Sequence, residues 1–576
     1  MVHDRTVSAR NREKPEHYLK NNLHLIITAA ALAMLAVAVI FVISYYTPRT
    51  VMFDGLTYNI CRGQATLTYC YEERGGECVI PPKVRGRRVT AIGKNAFSEC
   101  GELTGIVIPD GVTTIGGGAF SECYSLTEIT IPDSVTSIGS SAFWACKRLT
   151  GITIPESVTD IGEWAFTDCL RLTEIAIPRS VKSIGDSAFY DCIGLQEITV
   201  DPENEYYRSN DGVLFDADNR LMAYPAGRTD TRYAVPEGAT HIADNAFRCC
   251  GFLAEITLPD GVTDIGDWAF DDCESLVRIN IPDSVNSIGD GAFNCCFNLA
   301  SIDIPSGVTA IDDDTFRDCS RIGSVVLPDG LTSIGNRAFW GCGSLTSITV
   351  PESVTCIGES SFSYCYNLTD IYIDDGLTSI GKFAFEGCES LAAITIPNSV
   401  TDIGERAFYL CKSLRSVTLS DGISSIADGV FSGCDSLTGI AIPDGVTDIG
   451  NHAFEYCGSL TAAVIPDSVR RIGDYAFFEC RKLSCITIPD GVTHIGDYAF
   501  HACRSLTAID IPDSVTRIGK LAFEYCRSLT AITIPDSVAA IGVEAFRTDT
   551  ATTINAPHDP SYYGYTPTEN ETWITK

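Results

Sequence analysis

Positive charge is scarce in this sequence. Its 576 residues carry 41 Lys and Arg against 74 Asp and Glu, a formal net charge of -33. Such a surface repels phosphate backbones, so no nucleic-acid partner is expected. Histidine is also rare: there are eight, and His3, His17 and His24 fall at or before a single apolar stretch near the N-terminus. His494 and His501 share one segment, but no G-x-S-x-G elbow lies near them. No glycine-rich loop opens a helix to cradle phosphate, and no C-x-x-C pair, zinc-knuckle spacing or D-x-D-x-D-G calcium loop occurs. The expectation is a chain that is not an enzyme, with no catalytic residues, no cofactor, no metal and no small-molecule substrate. A hydrophobic share of 45% with 20% charged residues is a globular profile, not a disordered one.

One segment differs from everything else. Leu25 to Tyr46 contains no charged residue. As a helix it would span roughly 33 Å, enough for a bilayer's hydrocarbon core. Tyr45 and Tyr46 stand where an interfacial aromatic belt would lie, and Arg5, Arg10, Arg12, Lys14 and Lys20 precede the segment. This bias predicts a cytoplasmic basic tail over 1–22, an uncleaved transmembrane signal-anchor helix over 23–46, and an extracellular body. The competing reading is a cleaved signal peptide, because Ala36-Val37-Ala38 fits the small-x-small pattern, though inside the apolar run and not after it.

The body is a repeat. LTEITIPDSVTSIGSSAFWAC, from Leu126 to Cys146, aligns with LTAIDIPDSVTRIGKLAFEYC, from Leu506 to Cys526. Phenylalanines keep a 23-residue count from Phe97 to Phe189, resume at Phe247 and run to Phe546, nineteen copies in all. In L-x-x-I-x-I the apolar residues take strand periodicity. Pro ends the strand and opens a Pro-Asp-Gly/Ser turn, with Pro presetting φ. Val and Ile return the chain to the core, Gly frees the backbone for a corner, and Asp186, Asp267 or Asp497 then caps a short helical turn carrying Ala-Phe-x-x-Cys. One coil cannot bury enough apolar surface to order itself, so stacking on neighbours is required. The predicted organisation is a linker and N-terminal capping module over 47–85, repeats over 86–546 with an insertion at about 200–235, and a polar C-terminal cap over 547–576. The predicted fold class is an α/β-type solenoid: a right-handed coil with a parallel strand ladder on one face and short helical turns opposite, preceded by one transmembrane helix.

The I-x-I-P-x-x-V-T-x-I-G-x-x-A-F-x-x-C signature resembles the BspA-like leucine-rich repeat family. Asp54-Gly55-Leu56-Thr57-Tyr58, Val79-Ile80-Pro81 and Val89-Thr90-Ala91-Ile92-Gly93 look like that family's opening module. Tyr207 to Phe215, with Tyr224-Pro225, looks like its longer, hairpin-like repeat variant. The resemblance implies a cell-surface or secreted protein that binds other proteins, host or matrix surface proteins among them. It implies no catalytic residue to carry over.

Three ladders follow from the period. Eighteen of the 25 cysteines occupy the repeat position, from Cys100 and Cys123 to Cys503 and Cys526. A core lined by free thiols is expected, because uniform stacking gives each thiol two equivalent neighbours, and free Cys packs as a small hydrophobe. Cys61, Cys70 and Cys78 stand outside that row, and Cys356 and Cys485 fall at solvent-facing positions. A row of acids, including Asp110, Asp133, Asp260 and Asp513, follows the turn Pro; turn chemistry accounts for it better than a calcium ridge does. On the strand face, Thr130, Thr153, Thr349 and Thr533 are interrupted by Asn280, Asp303, Tyr372 and Asp510, the candidate protein-binding residues. The expected function is a membrane-anchored adhesion or binding protein. The alternatives are a surface spacer with no specific ligand and, with reversed topology, an intracellular scaffold.

Overall fold

The computed structural model describes residues 15–71 and 75–575, with the side chains of 15–26 and 44 outside that description. It divides into two compact units, Met1–Ala165 with Ser183–Gly185, and Phe166–Lys182 with Asp186–Lys576.

In the first unit, the strands Arg49–Phe53, Leu56–Cys61 and Gln64–Cys70 pair antiparallel in turn. Gln64–Cys70 then pairs parallel with Arg87–Ile92. From there the ladder stays parallel through Thr114–Ile115, Ser137–Ile138, Asp160–Ile161 and Ser183–Ile184. A second parallel ladder joins Gly76–Val79, Leu103–Val107, Glu128–Thr130 and Gly151–Thr153. The second unit repeats both ladders, with Glu174–Ile177 on Glu197–Val200 and Asp264–Ile265 on Ser287–Ile288 as examples. Each coil turns its Leu, Ile, Val, Ala, Phe and Cys inward; within the second unit they form one core from Val213 to Tyr565, and the repeat phenylalanines are buried. Their rings stack coil on coil, 5.4 Å apart and 2° from parallel for Phe362 and Phe385. That separation lies within the range where offset aromatic pairs attract.

The short helices expected around Ala-Phe-x-x-Cys are absent among the described residues. The segment is a third ladder, built from turns. Cys123 N–H donates to Phe120 C=O inside its coil, whereas Gly118, Phe120 and Glu122 N–H groups donate to Ser140, Ala142 and Trp144 C=O of the next, at 2.8, 2.8 and 2.7 Å. Alternate peptides therefore face along the stack. That alternation needs left-handed φ two residues before and two after each Phe, as at Asn95 and Glu99 (55° and 64°) or Tyr475 and Glu479 (57° both). A continuous α-helix would consume these N–H groups internally and leave the stack unbonded. The Pro-Asp-Gly/Ser turn also differs from expectation. Pro132 accepts from Val135 N–H at 3.0 Å, so Pro opens the turn and does not fill its second position.

The glycine after Ile was expected to serve a corner by its conformational freedom. Its φ is not left-handed, and the reason for it is contact: a Cβ on Gly139 would sit 2.5 Å from Gly117 N and 2.7 Å from Gly116 C. The acid that follows caps the neighbouring coil, not its own. Asp267 Oδ1 accepts from Asp290 N–H at 3.0 Å, and Asp497 Oδ1 from Lys520 N–H at 2.8 Å.

The insertion is shorter than 200–235. Tyr207–Asn210 and Val213–Asp216 form a hairpin, which passes antiparallel to Arg220–Ala223. Arg220–Ala223 already pairs parallel with His241–Ile242. Tyr224 takes the phenylalanine's place, its ring 5.2 Å from that of Phe247, and Arg232–Ala234 pairs parallel with Glu255–Thr257. Residues 220–234 are thus a shortened coil. At the C-terminal end Thr552–Ala556 and Glu571–Thr575 extend the ladder, with Trp573 5.5 Å from Tyr565.

A helix covers Pro15–Tyr46. Among the described residues, no helix is long and apolar enough to cross a membrane. The expected span over 23–46 starts outside the described side chains, and of the basic tail over 1–22, residues 1–14 lie outside the description altogether.

Among the described residues no two cysteines are joined in a disulfide. Most repeat thiols donate to the phenylalanine carbonyl of the preceding coil, at 3.1 Å from Cys123 to Phe97 and 3.3 Å from Cys503 to Phe477, while Cys100 reaches the Tyr71 carbonyl and Cys250 that of Tyr224. Burial pushes the Cys123 thiol up to about 12 and that of Cys388 well above the ordinary thiol value. Ellman titration of unreduced protein is therefore expected to find all 25 thiols in denaturant but in buffer only the few outside the core, Cys485 first. A denatured count near zero would show instead that the ladder is oxidised.

Candidate binding surface

The strand face is mostly short and β-branched. Asn280, Asp303, Tyr372 and Asp510 share one register position on it, in Arg278–Asn280, Ser301–Asp303, Asp370–Ile373 and the isolated bridge from Asp510 to Thr533. They do not form one patch. Asn280 and Asp303 are one repeat apart, and Tyr372 and Asp510 are separated from them by intervening repeats carrying Val326, Thr349, Thr395 and Val464. Asn280 is also engaged: its amide clasps the Leu258 peptide, accepting from N–H at 2.9 Å and donating to C=O at 3.0 Å. Tyr372 is 63% exposed, and its hydroxyl leans on Asp374, which holds the phenol above its ordinary value.

Chemical variety lies elsewhere, on the turn ladder. Ala, Phe and Cys of each turn point inward, and the residues two before, one after and two after Phe are the ones that vary, many of them exposed or half-buried, though Asp271, Ser363 and Glu524 are buried. Four of the five tryptophans stand there: Trp144 and Trp164 in the first unit, Trp268 and Trp340 in the second. The signal was present in the sequence as the residue choice at the x positions around Phe, which the periodic pattern treats as spacers.

Three groups occupy this face in the second unit. In the first, the Arg248 guanidinium lies over Tyr190 at 4.4 Å and bonds Asp271 at 2.7 Å. Asp271 is almost wholly buried, and burial pushes its carboxyl up to about 6, with Arg248 opposing. Asp271, Asp272 and Cys295 bring their ligand atoms within 4.8 Å of one another, the geometry a cation needs. Both Asp271 oxygens are taken, however, by Arg248 and by Asn294 Nδ2 at 2.6 Å, so the group closes on itself.

The second group is aromatic. Trp340 meets Tyr364 edge-on at 5.4 Å, with Arg317 over the indole at 5.0 Å. In the third group, His452, Tyr475 and Tyr498 stack at 4.7 and 4.6 Å, and Phe478 stacks on His501 at 4.6 Å. Beside them His501 Nε2 is 3.0 Å from the buried Glu524 carboxylate. Burial lowers the imidazole's affinity for a proton and raises that of Glu524. Between the second and third groups lies a cleft of about 290 Å³ lined by Tyr409, Ser432, Gly433, Glu455 and Tyr456.

A family model for the BspA type leucine-rich repeat region matches residues 90–210, 240–369, 356–463 and 447–566. Among solved structures, a leucine-rich repeat protein from Bacteroides ovatus is 28% identical, over 73% of this chain and 95% of its own, with a TM-score of 0.44. A leucine rich cell surface protein from Faecalibacterium prausnitzii is 30% identical, over 57% of this chain and 95% of its own, with a TM-score of 0.42. The pneumococcal vaccine antigen PcpA is 20% identical, over 65% and 99%, with a TM-score of 0.43. No curated protein matches. With a parallel coil of this period and a family match over most of its length, the chain belongs to the BspA-type leucine-rich repeat family.

Proposed function

We propose that this protein is a membrane-anchored cell-surface binder of other proteins, with its N-terminus in the cytoplasm, its body outside, and the turn face as its binding surface. The observation that carries the reading is the gathering of Trp, Tyr and Arg at the variable turn positions, while the inward positions repeat with few exceptions. Those residue types dominate binding energy at protein interfaces, because they bury large rigid surfaces and carry a polar handle. A spacer without a ligand has no need of such variety on one face. The anchor rests on the uncharged run Leu25 to Tyr46, on exposed apolar side chains along it such as Met34 and Phe41, and on the basic residues before it.

Protease added to intact cells is expected to remove the body, and full protection would establish the scaffold reading in its place. In the displayed full chain, Trp340→Ser with Tyr364→Ser is expected to weaken saturable capture of a surface or matrix protein by roughly tenfold or more, whereas Tyr372→Ser on the strand face leaves it unchanged. The reverse ranking would move the binding surface to the strand face.

A further inference from the structure

The cleft on the turn face has aromatic walls and an acidic lining. It exists because Ser432 and Gly433 stand where the coils on either side carry Tyr409 with Leu410 and Glu455 with Tyr456. Its two cations are already neutralised: Lys412 Nζ lies 2.7 Å from Glu389 and Arg481 Nε lies 2.6 Å from Glu479. Its remaining acids are not. Asp435 is exposed and has no ion pair within 4 Å among the described residues. Glu455 is contacted through Oε2 alone, by His452 Nδ1 at 2.9 Å and Ser432 Oγ at 3.4 Å. The chemistry on offer is thus the ring of Tyr409, over which Arg406 already lies at 5.7 Å on one side, the ring of Tyr456, which Phe478 meets edge-on at 5.4 Å, and two carboxylates with acceptor capacity to spare. A cation meets both at once, by cation–π attraction and by charge-assisted hydrogen bonds. The net charge of -33 draws in the same kind of ligand.

We propose that this cleft receives a guanidinium or ammonium side chain from an extended basic segment of a partner protein. The cation lies between Tyr409 and Tyr456, and its N–H groups donate to Asp435 and Glu455. The proposal rests on the turn face being the binding face and adds the chemistry of what it binds.

The test is fluorescence anisotropy on the full chain in detergent, with three probes: a labelled nonapeptide of alternating Arg and Gly, its Glu counterpart, and maltoheptaose as competitor. The Arg peptide is expected to bind saturably and more weakly as salt rises. Its affinity is expected to fall roughly tenfold in Tyr456→Ala and in Asp435→Asn, and to stay within about twofold in Tyr456→Phe, which keeps the ring. Asp513→Asn, which removes one exposed acid outside the cleft, controls for bulk charge and is expected to change nothing. Equal binding of the Glu peptide, displacement by maltoheptaose, or equal losses in Asp435→Asn and Asp513→Asn would each overturn the proposal. Partner capture that depends on Trp340 without any cleft-dependent peptide binding would end this inference and leave the binding face standing. Loss of both would end the two together.

Discussion

Replacing Gly358 by alanine is expected to destabilise the body by roughly 3 kcal/mol or more, the upper end of what overpacking costs. A Cβ there would lie 2.5 Å from Gly335 C and 2.6 Å from Asn336 N, closer than real Cβ atoms come to anything. The obstacle is backbone, which has no rotamer to change. The coil cannot back away either, because Gly358 N–H reaches Ile334 C=O at 2.8 Å and Phe339 N–H reaches Ser361 C=O at 2.7 Å on the same pair of coils. Moving one contact lengthens the others. Gly343→Ala is the matched control, since its nearest obstacle is the Tyr366 ring at 3.7 Å, and it should stay within about 0.5 kcal/mol. Urea unfolding of both variants decides the matter. A loss below about 1 kcal/mol at Gly358 would mean that coil spacing is soft and that the glycine serves another purpose.

The second large effect is at the centre of the phenylalanine stack. Phe385→Ala is expected to cost about 3–5 kcal/mol. Phe385 is fully buried, and its ring lies between those of Phe362 and Phe408, at 5.4 and 5.2 Å. Truncation removes ring surface from two interfaces at once. The three ladders hold the coils at fixed spacing, so the cavity cannot collapse. In a solenoid each coil is stabilised only by its neighbours, so the damage should be local before it is global. Limited proteolysis is expected to open the chain near residue 385 under conditions where the unaltered protein resists. A loss under about 1.5 kcal/mol, or cleavage that ignores the site, would show that the stack is not the main source of cohesion.

These expectations rest on features that differ in how visible they were before the fold was known. The inward positions were plain. Leu, Ile, Val, Ala, Phe and Cys recur every 23 residues, and each recurs because the same pocket recurs. The free thiol row follows from the same regularity, and the structure adds the acceptor that satisfies it, the phenylalanine carbonyl one coil back. The glycine after Ile was visible as a constant but was explained wrongly. Corners and close approaches both select glycine, and only the position of the neighbouring backbone separates them. Asp267 was likewise recognised as a cap, yet its partner is Asp290 N–H of the following coil, 23 residues on. A partner at that distance is invisible to local capping rules.

The candidate binding surface was the least legible part. Tyr372 and Asn280 stood out because they break a row of threonines. The turn positions vary in every coil, so no single residue there breaks a pattern. By itself the sequence determined the period, the inward residues and the existence of parallel ladders, because burial of apolar surface is set coil by coil through side-chain type. Only the tertiary structure decided that the Ala-Phe-x-x-Cys segment is a ladder of turns and that, within the second unit, its varied side chains gather into aromatic and charged groups. The physical reason is that left-handed φ at Tyr475 and Glu479 and the alternation of peptide directions are imposed by hydrogen bonds to the next coil, which no local propensity encodes.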